Sequence, residues 1–438
     1  MRSNVSSIQC RPRITAAAHA LPKEDRNRAL LEAALYVNKR ISEIANALND
    51  REAAKNYLLS LVTYLTDTVQ IVRLVVRGDE AAYTIFETLN DRGMDLAPLD
   101  LVKNYLFSRA EKSRGTAKNL RDLEERWAEM MTLLSSVKAD SFLRAFWTSK
   151  HGTPEGRKLF GPFKRQYSDP AEAYKISIDM RAAAERYVAL TDSDDPAWSK
   201  LSEKAKHSID ALSVIGVTQI YPVLLAAMPV FEVREMERLL RLLEVMAVRY
   251  QLVARGRPGR IESLGGRTAK AISDGKITTA TQVFAELKEL YIADSQFETE
   301  FEIKTERESK KAAYLLRGLE RQAHVRAQDT HANELVPSSV VTVEHILPKS
   351  PGSGWKKEID ADKELLTECL YRLGNLCLLA DANRALGNKS FAEKRKAYAT
   401  SRLVTTSSVA ESSSWARAAI EKRQKYQAKL AVTEWRFQ

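Results

Sequence analysis

Cysteine is nearly absent. Three residues, Cys10, Cys369 and Cys377, among 438 cannot form a disulfide framework, which excludes small stapled secreted scaffolds and suits a reducing, cytoplasmic compartment. No apolar run approaches the roughly 20 residues needed to cross a bilayer, so no membrane partner is expected. The opening MRSNVSSIQCRPRITAAAHA lacks the apolar centre of a secretory signal, and residues 1–22 read as a disordered or poorly ordered tail. No GxxxxGK[ST] stretch occurs, which excludes a phosphate-cradling loop of that kind. There is no internal repeat and no heptad run long enough for an extended coiled coil. Histidine is scarce too: six in the chain.

Positive charge is what the chain has in excess. A net charge of +11 and a pI near 9.3 favour a polyanionic partner, nucleic acid above all. The hydrophobic and charged fractions, 44% and 29%, fit a globular chain, and 438 residues suffice for two to four domains.

From about Lys23 the pattern is helical. Ala34, Val37, Ile41, Ile44 and Leu48 recur at three- and four-residue steps and predict one apolar face packed in a core. YLLSLVTYLTDTVQIVRLVV follows, either a buried helix or a helix running into a strand. AAYTIFETLNDRGMDLAPLDLVKNYLFSRA reads as helix, tight turn, helix, with Gly93 ending one and Pro98 in the first turn of the next. The polar cluster Glu87, Asn90, Asp91 and Arg92 is expected to fix that turn or a domain contact. In MERLLRLLEVMAVRYQLV, Leu239, Leu243, Met246, Tyr250 and Val253 form a buried stripe. ARGRPGRIESLGGRTAK then sets Arg255, Arg257, Arg260, Arg267 and Lys270 among four glycines and a proline. It predicts a mobile basic loop, either touching phosphates or merely solvated, with Arg255, Arg257 and Arg260 as the candidate nucleic-acid contacts.

Past Thr330 the texture changes. Val340 to Val343 favour a strand, and GNLCLLA (374–380) predicts a second. A short helix closed by Gly387, a helix over about 390–400 and a last one over about 413–435 complete the reading. Glu344 and His345 end the first strand, Asn375 opens the second, and Asn383 lies on the helix after it. A hairpin on a short helix would gather all four. Cutting a phosphodiester needs a water stripped of a proton and positive charge near the leaving oxygen. Imidazole titrates near neutrality. One carboxylate, one amide carbonyl and waters make a typical Mg²⁺ shell. Asp294, Glu302 and Lys304 faintly echo the D…ExK pattern of another nuclease class, but their acidic flanks read as exposed helix or loop.

VEHILPKS followed by LGNLCLLADANRALGNKSF resembles the HNH, or ββα-metal, nuclease motif. More narrowly it resembles DUF1524, the C-terminal nuclease domain of GmrSD-type modification-dependent restriction enzymes. IFETLNDRGMDLAPLDLVKNYLF resembles the later part of DUF262, which partners DUF1524 in those enzymes, and WARAAIEKRQKYQAKLAVTEW resembles the family's closing helix. The resemblance implies His345 as general base, Glu344 (usually Asp) and Asn383 as ligands to Mg²⁺, Mn²⁺ or another divalent ion, and Asn375 as the residue pinning the hairpin. Lys349, Arg384 and Lys389 would contact phosphates. ADAN stands where many HNH proteins carry a Cys pair, so no structural zinc is expected. The DGQQR-like motif of the family's front half is missing, so the chain is expected to start part-way into that architecture and to use no nucleotide alone.

The fold class expected is mainly α: a helical remnant over 23–110, a helical middle over 111–330 and a small α+β nuclease domain over 331–438. The function implied is cleavage of DNA in bacterial defence, the partners being DNA and a missing DUF262 half or another restriction subunit. The alternatives are a DNA-binding or scaffold protein with a degenerate site, and an RNA-directed nuclease.

Overall fold

The computed structural model describes residues 26–48, 50–70, 98–112, 116–156, 159–328, 341–380 and 386–437. They are mainly α-helical, with one small antiparallel sheet of two strands near the C-terminus. No helix among them is long and apolar enough to cross a membrane. The chain divides into two compact units, 1–77 and 78–438.

In the first unit, α1 (Arg26–Ala47) and α2 (Arg51–Asp67) form a helical pair. The Asp50 carboxylate caps α2, accepting from the backbone N–H of Glu52 at 3.1 Å and Ala53 at 3.3 Å. The expected core packing is corrected here. Val37, Ile41 and Leu48 are exposed, as are Leu59, Val62 and Leu65 on α2. Periodicity identifies an apolar face but not what covers it. Residues 71–97, with the cluster Glu87, Asn90, Asp91 and Arg92, lie outside the described residues.

The second unit opens with α3 (Pro98–Lys112), α4 (Thr116–Leu133), α5 (Ala139–His151), α6 (Phe160–Gln166) and α7 (Pro170–Ala189). Next come α8 (Glu203–Ile215), α9 (Tyr221–Ala227) and α10 (Val233–Met246), which runs on as π-helix over Ala247–Val253. Then follow α11 (Pro258–Ser273), α12 (Ala280–Leu287), α13 (Asp294–Glu302) and α14 (Ser309–Arg326). The C-terminal part holds β1 (Val341–His345), α15 (Lys356–Ala361), α16 (Leu365–Cys369), β2 (Leu376–Ala380), α17 (Phe391–Ala399), α18 (Val404–Ser407) and α19 (Arg417–Glu434).

The mobile loop read from the glycines is also corrected. Residues 258–273 are α11, and Gly265 and Gly266 are buried within it. A methyl group at Gly266 would run into Thr153, so the glycine serves close packing rather than mobility.

One apolar core runs from Leu99 on α3 through Leu239 and Leu243 on α10 to Leu373, Leu376, Leu378 and Trp435. Residues after 331 thus share a core with the helices before them. A second, smaller core joins Ile346, Leu347, Trp355, Cys369, Cys377, Leu379, Phe391, Tyr398, Trp415 and Ile420. β2 separates the two: Leu376 and Leu378 enter the first core, Cys377 and Leu379 the second. That division explains why GNLCLLA is a continuous apolar run, since both faces of the strand are covered.

Buried charge ties α19 to the middle helices. The Glu244 carboxylate accepts from Ser208 Oγ at 2.7 Å, Arg241 Nη1 at 2.9 Å and Tyr314 Oη at 2.6 Å. Arg241 also donates to the carbonyl of Glu434 on α19. Burial alone would raise the Glu244 carboxyl, but Arg241 and the three hydrogen bonds outweigh it and hold it below its ordinary 4.5. A depressed carboxyl contributes stability above its unfolded value and loses it as pH falls through the folded one. Glu244→Gln is expected to cost about 3 kcal/mol at neutral pH, by stranding Arg241. The deficit narrows below pH 4.5. Urea unfolding of both proteins across acid pH measures it.

Candidate active site

β1 and β2 pair antiparallel with Val343 opposite Leu378, Glu344 opposite Cys377 and His345 opposite Leu376. β-Branched residues start β1, and the pleat sends successive side chains to opposite faces. Glu344 therefore shares a face with Cys377, toward the smaller core, and His345 shares the other with Leu376.

Asn375 fixes where β1 ends. It is fully buried, in the turn Leu373–Asn375 before β2. Its Oδ1 accepts from the N–H of Leu347 at 2.8 Å and from Trp415 Nε1 at 3.0 Å. Its Nδ2 donates to the carbonyls of Leu347 at 3.1 Å and Leu370 at 3.0 Å. All four capacities of the amide are used. Its backbone carbonyl accepts from the N–H of Ile346 at 2.9 Å. The segment leaving His345 is thus held from both ends of one residue.

α19 supports that turn from behind. Gln424 accepts from the N–H of Gly374 at 3.2 Å and donates to the carbonyls of Phe301 and Lys304, each at 2.8 Å. Arg423 donates to the carbonyls of Gly374 at 2.9 Å and Leu376 at 2.8 Å. A methyl group at Gly374 would run into the carbonyl oxygen of Ile420, so only glycine lets the turn lie against this helix.

Glu344 has a partner that the sequence reading missed. Lys394, on α17 and fully buried, donates to Glu344 Oε1 at 2.6 Å and to the His345 carbonyl at 2.8 Å. Oε2 makes no hydrogen bond to a described residue, and the side chain is 19% exposed. In FAEKRKAYA, three of nine residues are basic and adjacent, which hid Lys394. Its spacing could have found it: Phe391, Lys394 and Tyr398 lie on one helical face, and a lysine in an apolar stripe needs a buried anion.

The imidazole of His345 meets the ring of Tyr371 edge-on at 5.6 Å. Its Nε2 is buried with no hydrogen-bond partner among the described residues. Burial first, then the charges of Lys349 and Lys394, push the imidazole down to about 4, so it is neutral at neutral pH. A buried polar atom without a partner costs on the order of 1–3 kcal/mol.

Asn383 and Arg384 lie outside the described residues. Lys389 is exposed, its carbonyl accepting from Trp355 Nε1 at 2.8 Å. Lys349 is exposed, its ammonium 5.9 Å from the Tyr371 ring centre. Arg255 donates to Thr305 Oγ1 at 3.2 Å, Arg257 is exposed ahead of α11, and Arg260 pairs with Glu289. The D…ExK echo is not a cluster: Asp294 binds Arg249 and Arg436, while Lys304, expected to be exposed, is buried against Glu306. Cys369 and Cys377 are free, buried thiols. No group of three or more His, Cys, Asp or Glu residues placed for a metal occurs among the described residues.

Residues 291–430 match the family model of the C-terminal domain of GmrSD restriction endonucleases. That stretch is 140 of the 438 residues, from the end of the middle helices through most of α19. It takes in α13 to α18, both strands, Glu344, His345, Asn375 and Lys394, and begins well ahead of residue 331. No curated protein matches the chain. The GmrSD-like region therefore includes Arg307 and Tyr371 as well as the hairpin.

Two outcomes follow for this region. Asn375→Ala should lower stability by about 3 kcal/mol, since it strands two N–H donors and two carbonyls in the interior, read as a drop in the urea midpoint. A double-mutant cycle between Glu344→Gln and Lys394→Met should give a coupling of about 2 kcal/mol. A coupling near zero would mean that the two side chains do not depend on each other.

Proposed function

We propose that this chain is a metal-dependent endonuclease of the ββα-metal type that hydrolyses DNA phosphodiesters, in bacterial defence against foreign or modified DNA. One observation carries the reading. A neutral imidazole whose buried nitrogen has no partner among the described residues stands at the end of a pinned β-hairpin, in the region similar to restriction-endonuclease domains.

A divalent ion fits the donors present. Among the described residues Glu344 keeps one carboxylate oxygen uncommitted after Lys394 has taken the other, and a carboxylate oxygen is the hard donor that Mg²⁺ or Mn²⁺ prefers. Glu344 would hold the ion, with Asn383 as its second protein ligand. When bound, the ion supplies positive charge for the phosphate oxygens. His345, uncharged, accepts a proton from the attacking water. Asn375 holds the backbone that carries His345, and Lys394 holds both the Glu344 carboxylate and the His345 carbonyl. The ion would be held weakly without substrate, because Lys394 cancels the charge of Glu344. That same ion pair is the observation that favours the second reading, a DNA-binding or scaffold protein with a degenerate site.

The deciding measurement is plasmid cleavage with Mg²⁺ or Mn²⁺ by the intact protein and by His345→Ala, beside a labelled RNA of matched sequence. The expected result is DNA cutting by the intact protein and a loss of at least about 100-fold in the variant. Equal cutting by both rejects His345 as the base. Cutting of RNA alone replaces DNA as substrate, and no cutting by the intact protein supports the scaffold reading.

A further inference from the structure

Segment 304–307 runs beside 371–373. The Glu306 N–H donates to the Tyr371 carbonyl at 2.8 Å, the Leu373 N–H donates to the Lys304 carbonyl at 3.2 Å, and Thr305 and Arg372 form an antiparallel bridge. That pairing sets Arg307 over the ring of Tyr371, its guanidinium carbon 5.0 Å from the ring centre. Lys349 approaches the same ring at 5.9 Å, and His345 meets it edge-on. Arg255, from the far end of the π-helix, reaches Thr305 in this segment. Four groups from three separate stretches of chain thus gather around Thr305 and Tyr371.

Their charge is not cancelled. Arg255, Arg307 and Lys349 are all exposed, and none forms an ion pair among the described residues. The two carboxylates that flank Arg307 in the sequence are already taken, Glu306 by Lys304 at 3.1 Å and Glu308 by Lys311 at 2.9 Å. On and beside α11, Arg260 pairs with Glu289 and Lys270 with Asp274. A cation resting on an aromatic face also loses less freedom when it binds.

Uncancelled, ring-supported cations beside an imidazole suit a phosphate anion, and the guanidinium fork suits its paired oxygens. We propose that Arg307 and Lys349, carried by the Tyr371 ring, form a binding subsite for a phosphate of the DNA backbone next to His345, with Arg255 extending it along the strand. The proposal rests on the reading of His345 as a nuclease site only for which phosphate lies where.

The test is binding, separate from cutting. Fluorescence anisotropy of a labelled DNA duplex with the full chain, in EDTA and over a range of salt, gives the slope of log affinity against log salt. Arg307→Ala and Lys349→Ala should each flatten that slope by about one. Their advantage from lower salt, between about 200 and about 50 mM, should shrink about threefold. Lys200→Ala, an exposed lysine in the loop before α8, is the control and should leave the slope unchanged. Unchanged slopes in Arg307→Ala and Lys349→Ala, or no salt-dependent binding by the intact chain, overturn the subsite. A flattened slope with no cutting in Mg²⁺ keeps the subsite and removes the nuclease reading, whereas cutting with an unchanged slope does the reverse.

Discussion

The C-terminal architecture depends on one buried amide. Asn375 has no exposed surface, and water offers it nothing once the hairpin closes. Its four hydrogen bonds go to the chain leaving β1, the turn after α16 and the indole of Trp415. Each bond contributes only about 1 kcal/mol net, but leaving any of those groups unpaired in the interior costs more. The amide therefore fixes one geometry for the strand end that bears Glu344 and His345.

Around that point, buried charge is handled consistently. Lys394 answers Glu344, Arg241 answers Glu244, and Arg249, fully buried, donates to Asp294 at 2.7 Å and to the carbonyls of Trp435 at 2.5 Å and Ile292 at 2.8 Å. Buried ion pairs contribute little net stability, because desolvation offsets attraction, but breaking one is costly. Their effect here is register. They join α10, α13 and α19, and α17 to β1, in single arrangements. Uncompensated charge is left on the surface, and around Tyr371 it collects beside His345.

Much of the hairpin was legible. β-Branched residues before Glu344 and the apolar run after Asn375 predict strands, and these appear as Val341–His345 and Leu376–Ala380. The helix expected over 390–400 is Phe391–Ala399, and the last helix, expected over 413–435, is Arg417–Glu434. Glycines misled the reading at α11. Four of them among arginines look like a flexible loop, yet two are buried where helices cross closely. The apolar faces of α1 and α2 misled it in the other direction, because a helical period reports amphipathicity and not a partner.

By itself the sequence determined the local conformations and the residue types: where strands, helices and turns form, and that an imidazole, a carboxylate and an asparagine sit at their ends. These follow from period, propensity and backbone sterics over a few residues. Only the tertiary structure decided the partners. That Lys394 lies under Glu344, that Arg307 lies over Tyr371, and that Gln424 of the last helix holds Gly374 are contacts between stretches far apart in the chain. No local signal carries them, because a buried charge or amide selects its partner through the fold and not through its neighbours in sequence.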